Sequence, residues 1–346
     1  MNLAPVLLSA RRHFARLALL ATALPVLAQP LAAQHTLVYG PYKHLNTGVD
    51  SARPVATTQV TGTVHEMAPA RGALLPKVQA VSLAFASGEC GQETWAGLAG
   101  QAVADANLSA LAQAALPYII STGGEGNLFT CSTDDGMERF IQRYRNPYLL
   151  GFDFDIEHTQ TLENIQQLVA RVKAAQMRHP QLRWSFTLPT FAASDASRAS
   201  LNALGLQVLA AVRAAELKDV VFNLMVMNYG KPSASVCVVQ RGRCNMAASA
   251  LQAARNLHAA QGIPMNRIAL TAMIGVNDVT DNVFTPSDAT RLARFAQREK
   301  LAGLHFWSLD RDRPCPGAAQ QVSATCSGLP RPGPLGFARA FAQGLR

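Results

Sequence analysis

Short runs rich in apolar, β-branched and aromatic residues recur along the chain at Thr36–Tyr39, Val78–Ala86, Tyr118–Ser121, Tyr148–Glu157, Arg183–Leu188, Val220–Tyr229, Arg267–Ile274 and Gly303–Leu309. Between most of them apolar residues return every three or four positions, as at Leu162, Ile165, Leu168, Val169 and Val172, or at Leu201, Leu204, Leu209, Val212 and Leu217. That is the period of a helix with one buried face. Strand followed by helix, repeated, predicts a parallel sheet. Eight such units in 346 residues, with no Gly-x-Gly-x-x-Gly after the first run, predict one closed (β/α)8 TIM barrel over residues 34–346 rather than an open doubly wound sheet. Residues 44–77 read as a long first loop, 314–334 as a second, and 334–345 as the last helix.

Chemistry in such a barrel is expected where the strands end at their carboxyl side. The fourth run, Gly151-Phe152-Asp153-Phe154-Asp155-Ile156-Glu157, is the most informative. Residues two apart on a strand share a face, so Asp153, Asp155 and Glu157 point one way while Phe152, Phe154 and Ile156 point the other. Three carboxyls projecting into a barrel cannot all ionise freely, and the resulting spread of pKa values keeps one protonated near neutral pH, as a general acid requires. Glu157, the outermost, is the candidate acid.

The first residues modify the domain picture. Arg11, Arg12 and Arg16 precede an apolar run from Leu17 to Leu27 and then small residues, which predicts a cleaved signal peptide over 1–33 rather than a membrane anchor. Removing it takes away three arginines and no acid, so the chain, formally +9 as a whole, stays basic. Its Lys and Arg are scattered without interleaved aromatics, which excludes a nucleic-acid groove from the expectation. All six cysteines follow the predicted leader, and an even number in an exported chain favours disulfides over zinc. Cys237 with Cys244 and Cys315 with Cys326 are the local pairs, leaving Cys90 with Cys131, although six cysteines allow other connectivities.

The acidic run resembles the Asp-x-x-Asp-x-Asp-x-Glu signature of glycoside hydrolase family 18. Ser121-Thr122-Gly123-Gly124 is similar to that family's Ser-x-Gly-Gly, Met227-Asn228-Tyr229 to its Met-x-Tyr, and Trp307 falls on the eighth run. The resemblance implies a secreted, endo-acting chitinase that needs no cofactor and works as a monomer on chitin or N-acetylglucosamine oligosaccharides. It implies retaining, substrate-assisted hydrolysis: Glu157 as general acid and base, Asp155 holding the acetamido group, Asp153 sharing the proton, Tyr229 donating a hydrogen bond to the acetamido oxygen, and Trp307 flooring the sugar. Two positions depart from the pattern, since Leu150 stands where many members have the first Asp and Gly230 where many have a substrate-binding Asp. The order of motifs looks like a bacterial subgroup without the extra α/β insertion domain.

Met227, Asn228, Met273, Tyr39 and Phe85 complete the expected substrate-binding set, with Asn277, Asp278, Asp310 and Asp312 as weaker candidates for sugar hydroxyls. Two blander explanations of the acidic run are a solvated edge strand, disfavoured by the apolar runs flanking it, and a metal site with His158, disfavoured because no second acidic or His-x-His cluster completes a shell. Two other functions use the same residues: an endo-N-acetylglucosaminidase acting on N-glycan cores, and a non-catalytic sugar-binding lectin, against which the intact Glu157 argues.

Overall fold

Alternation of buried strands and amphipathic helices closes into a barrel. The computed structural model describes Met1 and residues 37–47, 53–75, 77–157, 160–317 and 322–346. The predicted signal peptide and His158 lie outside the described residues. The barrel strands are β1 (Val38–His44), β2 (Val81–Ala86), β3 (Tyr118–Gly123), β4 (Leu149–Asp155), β5 (Arg183–Pro189), β6 (Val220–Met225), β7 (Ile268–Met273) and β8 (Gly303–Trp307). Each pairs in parallel with its sequence neighbours, and β8 pairs with β1 to close the cylinder. The expected single (β/α)8 TIM barrel is what forms.

Seven helices follow the strands from β2 onward: α1 (Gly100–Gln113), α2 (Asp134–Arg143), α3 (Leu162–Arg178), α4 (Ala203–Ala214), α5 (Met246–Gln261), α6 (Pro286–Arg298) and α7 (Gly336–Gly344). Most start at a side-chain cap that satisfies an otherwise orphaned amide. Thr133 accepts from Gly136 N, Asn202 from Gly205 N and Asn245 from Ala248 N, while Thr285 and Asp288 form a reciprocal capping box with Pro286 at the first turn. The first crossover, between β1 and β2, has only a short helix at Arg71–Leu74 and a two-stranded ribbon, in keeping with its Thr-, Pro- and Gly-rich composition. A two-stranded ribbon and α6 join β7 to β8.

The two faces of β4 separate as the alternation predicts. Phe152 and Phe154 pack outward with Trp184 and Phe186 of β5 and Phe140 of α2, with ring centroids 5.0–6.3 Å apart. The opposite face carries Asp153 and Asp155 into the barrel, where both are buried.

Three disulfides form the expected pairs, Cys90–Cys131, Cys237–Cys244 and Cys315–Cys326. The first clamps the segment after β2 to the segment after β3, where Gly88–Glu89 pairs with Phe129–Thr130. Its cysteines lie 41 residues apart, so the cross-link removes much loop freedom from the unfolded chain. Replacing both Cys90 and Cys131 by Ala should therefore lower unfolding stability by about 2–4 kcal/mol, read as a fall in the urea midpoint.

Candidate active site

The carboxyl ends of the strands open onto a cleft of about 570 Å³. Beneath it, at mid-depth in the barrel, lies Asp153, 2 % exposed. Its Oδ2 accepts hydrogen bonds from Tyr42 Oη of β1 (2.9 Å) and Ser121 Oγ of β3 (2.7 Å), and its Oδ1 from Ser185 Oγ (2.6 Å) and Thr187 Oγ1 (2.8 Å) of β5. Asn223 of β6 extends this polar layer, with its Nδ2 2.8 Å from Thr187 Oγ1, 2.8 Å from Thr271 Oγ1 of β7 and 3.0 Å from Tyr42 Oη. Burial raises the Asp153 carboxyl above its ordinary range, and the four hydroxyl bonds oppose that rise.

Two residues further out, Asp155 is 6 % exposed and its Oδ1 has no hydrogen-bond partner among the described residues. Burial pushes its carboxyl well above the usual range, and the charges of Glu157, Asp153 and Glu125 push the same way. Glu157 stands at the cleft itself. Burial, a hydrogen bond with Glu125, and the charges of Glu125 and Asp278 raise its pKa to about 8. The column thus grades from a saturated acid at depth, through one with a bare oxygen, to one that keeps its proton at neutral pH.

The turn after β3 permits this arrangement. Gly123 pairs with Asp155 and takes φ +78°, and a Cβ there would collide with the Asp155 carbonyl oxygen. Gly124, at φ +81°, donates its N–H to the same carbonyl at 3.2 Å, and a Cβ on it would meet the Phe85 ring at 2.6 Å. The Ser-x-Gly-Gly sequence is therefore a requirement for close backbone approach beside the acids.

An aromatic wall faces the acids. Trp307, ending β8, stacks on Phe85 at 5.4 Å and 16°, and His44 lies 5.2 Å from it. Met225, Met227, Met273 and Phe191 add apolar lining, with Met273 paired in register with Trp307. The wall is anchored by a buried ion pair, Lys43 Nζ to Asp310 Oδ2 at 2.5 Å, to which Thr47 and Thr58 of the first crossover also bond.

No family model matches the chain. It is 28 % identical over 233 residues to a probable bifunctional chitinase/lysozyme of Escherichia coli (strain K12) and, over the same length and at the same identity, to endochitinase 11 of Metarhizium anisopliae. Each match takes in 60 % of this chain but only 24 % and 42 % of those relatives, so the chain spans less than half the length of either. The catalytic domain of the hyperthermophilic chitinase from Pyrococcus furiosus has the same fold, with a TM-score of 0.68 and 23 % identity over 90 % of this chain and 95 % of that one. Catalytic-site mutants of active domain 2 of the thermostable chitinase from that organism, complexed with chito-oligosaccharides, give 0.67 and 22 % over the same shares. The chain is similar to chitinases in sequence and in fold.

Within the barrel, the cleft gathers Asp155, Glu157, Phe85, Met227, Asn228, Met273, Asp278 and Trp307 from the expected residues, with Asp153 behind them. Two expectations need correction. Tyr39 is wholly buried on the far side of β1, packed on Phe306 and Phe341 with its Oη donating to Ala338 O (3.3 Å), because β1 continues past it to His44. Tyr229 does not line the cleft either. It is 3 % exposed, its backbone N–H is held by Asn282 Oδ1 (2.7 Å), and its Oη has no partner among the described residues. The preceding Asn228 adopts φ +51° and bonds Asp278 through Nδ2 (2.8 Å), which breaks the strand alternation and turns Tyr229 into the core.

The weaker candidates also divide. Asn277 is fully buried and bonds the carbonyls of Met273 and Gly275, Asp310 is taken up by Lys43, and Asp312 accepts the amides of Phe337 and Ala338 at the start of α7. Only Asp278 of that group reaches the cleft. Tyr42, Glu125 and Phe191 are among the cleft residues that sequence reasoning missed.

The raised Glu157 pKa has a thermodynamic sign. The folded chain binds this proton more tightly than the unfolded chain does, so the stability linked to it is present below the ordinary carboxyl range and is lost as pH rises toward about 8. Glu157→Gln should therefore match the parent in urea unfolding at pH 4 and exceed it by about 1–2 kcal/mol at pH 8.

Proposed function

We propose that the protein hydrolyses β-1,4 bonds next to N-acetylglucosamine in chitin or its oligosaccharides, with retention and with the substrate's own acetamido group as nucleophile. The observation that carries this proposal is the pairing of a protonated Glu157 at the cleft with Asp155, whose buried Oδ1 is unpartnered, directly behind it. Glu157 gives its proton to the glycosidic oxygen as the bond to the anomeric carbon breaks. The acetamido oxygen closes on that carbon, and Asp155 Oδ1 accepts the hydrogen of the acetamido N–H, whose nitrogen gains positive charge. Water then attacks from the face the leaving group vacated, opens the ring and returns a proton to Glu157. A neutral Glu157 is the correct starting form for such an acid.

Asp153 has a supporting part in this scheme. Its four hydroxyl bonds hold it fixed beneath Asp155, so its charge acts on Asp155 without moving. Trp307 and Phe85 provide the apolar surface on which a sugar ring stacks. The three disulfides suit an oxidising compartment, in support of a secreted protein. Among the described residues no helix is long and apolar enough to cross a membrane.

Incubation with N-acetylglucosamine oligosaccharides should release shorter oligomers whose new reducing ends are β by NMR before mutarotation. Glu157→Gln should lower kcat by about 10²–10⁴. Absence of cleavage by the parent, or full activity in Glu157→Gln, overturns the proposal. Cleavage of an N-glycan core with chitin oligosaccharides untouched would transfer the same chemistry to that substrate.

A further inference from the structure

The Glu157 carboxyl is hydrogen-bonded to Glu125, a residue outside the acidic run and outside β4. Glu125 sits in the tight turn that follows Gly123-Gly124, closed by Asn127 N donating to Gly124 O (3.0 Å) and by Asn127 Nδ2 donating to Glu125 O (3.0 Å). The turn is fixed to β4 by the Gly124 N–H on the Asp155 carbonyl, two residues before Glu157, and further along by the Cys90–Cys131 disulfide. Glu125 is exposed to solvent, yet its carboxyl is aimed into the cleft rather than away from it.

Among the described residues that line the cleft, the charged groups are all acidic. Glu125 approaches from the turn after β3, Asp155 from β4 and Asp278 from the segment after β7, and no Lys or Arg is among the described residues that line the cleft. Asp278 is bound to Asn228 Nδ2 (2.8 Å), and Asp155 lies deeper with its bare Oδ1. Of the three, Glu125 is the one whose hydrogen bond raises the Glu157 pKa. In a chain that is basic overall, the described charged residues of this cleft are thus carboxyls, and one of them is an extra acid beside Glu157.

We propose that Glu125 is a positioning residue for Glu157: its carboxylate accepts the Glu157 O–H in the free cleft and keeps the proton on Glu157 until a glycosidic oxygen replaces it as acceptor. The same contact acts in the second half of the reaction. Once Glu157 has delivered its proton to the leaving group, two carboxylates face each other, and their repulsion strengthens Glu157 as the base that takes a proton from water as the water oxygen bonds to the anomeric carbon and the acetamido oxygen leaves it. Glu125 neither gains nor loses a bond to substrate.

This inference rests on the glycosidase proposal for its kinetic consequence, but not for its physical one. Glu125→Gln keeps the length and removes the charge. The Glu157 titration, followed by carboxyl ¹³C NMR and assigned by the resonance lost in Glu157→Gln, should move down by about one pH unit or more in Glu125→Gln, a tenfold loss of proton affinity. Glu125→Asp should restore part of it. The alkaline limb of kcat/KM on a chito-oligosaccharide should shift the same way. An unmoved Glu157 titration in Glu125→Gln overturns the inference, whatever the activity. A shifted titration in a protein that cleaves no chito-oligosaccharide upholds the Glu125–Glu157 contact and overturns the glycosidase proposal instead. Because Glu125 is exposed, the variant should keep the parent's thermal midpoint.

Discussion

Everything at the cleft depends on burying one carboxylate, Asp153, in the middle of a β-barrel. Taking a charge of this kind out of water without partners costs many kcal/mol, and barrel interiors usually avoid it by filling with branched apolar side chains. Here four hydroxyls from three strands converge on the two oxygens, so each has two donors and the group is satisfied within the barrel. The hydroxyls belong to Tyr42, Ser121, Ser185 and Thr187, and Asn223 and Thr271 carry the polar layer on to β6 and β7. Below it, Arg183 is half-buried on the same face of β5 as Ser185. Burial lowers its pKa to about 10 while the charge of Asp153 works against that loss, so it remains a cation under the acids. Arg183 in turn helps burial hold His305 neutral, with a pKa of about 3.

From that fixed point the three acids differ by environment rather than by type. Asp153 has all its hydrogen bonds, Asp155 lacks a partner on one oxygen, and Glu157 shares a hydrogen bond with another carboxyl. Moving outward along β4, each acid is nearer to the cleft, and the bare oxygen falls on the middle one. An oxygen left bare in a buried site is costly unless something else meets it. The position of Asp155 Oδ1 behind Glu157 makes an N–H of a ligand the natural partner. The stability lost to unsatisfied and crowded acids is thereby concentrated where a substrate can restore it.

Much of this was legible because the β4 period is strict. Asp and Glu on one face and Phe and Ile on the other leave no freedom of register, and the aromatic contacts of Phe152 and Phe154 confirm the outer face. Ser121 to Gly124 was legible through its glycines. Tyr42 was not, because Gly40-Pro41 reads as a break and ends the predicted first strand at Tyr39. In the barrel, Val38 to Pro41 pair with β8 and Tyr42 to His44 pair with β2, so the proline falls where β1 passes from one neighbour to the other and its missing N–H is tolerated. Tyr229 was misplaced for the converse reason, since a left-handed Asn228 ends an alternation that the sequence appears to continue. Glu125 lies in a turn whose polar residues look like any other loop, and only the fold brings it to Glu157.

The aromatic wall opposite the acids relies on a second buried charge pair, and its location explains why that pair is retained. Lys43 is fully buried two residues before the first crossover leaves the barrel, and Asp310 lies three residues after Trp307. A buried ion pair contributes little net stability, since desolvation offsets much of the attraction, but it is specific because either partner alone would be left uncompensated. Asp310 also accepts hydrogen bonds from Thr47 and Thr58, so one carboxylate gathers the start and the middle of the irregular crossover against the end of β8. The crossover also buries Val60, Met67, Leu74 and Leu75 in the core, and the tie adds direction to that non-directional packing. With it, His44, Phe85 and Trp307 are packed on one another across β1, β2 and β8, at a fixed place facing Glu157. Two buried charges therefore divide the work: Asp153 sets the acids, and Lys43 with Asp310 sets the surface that a sugar would lie on.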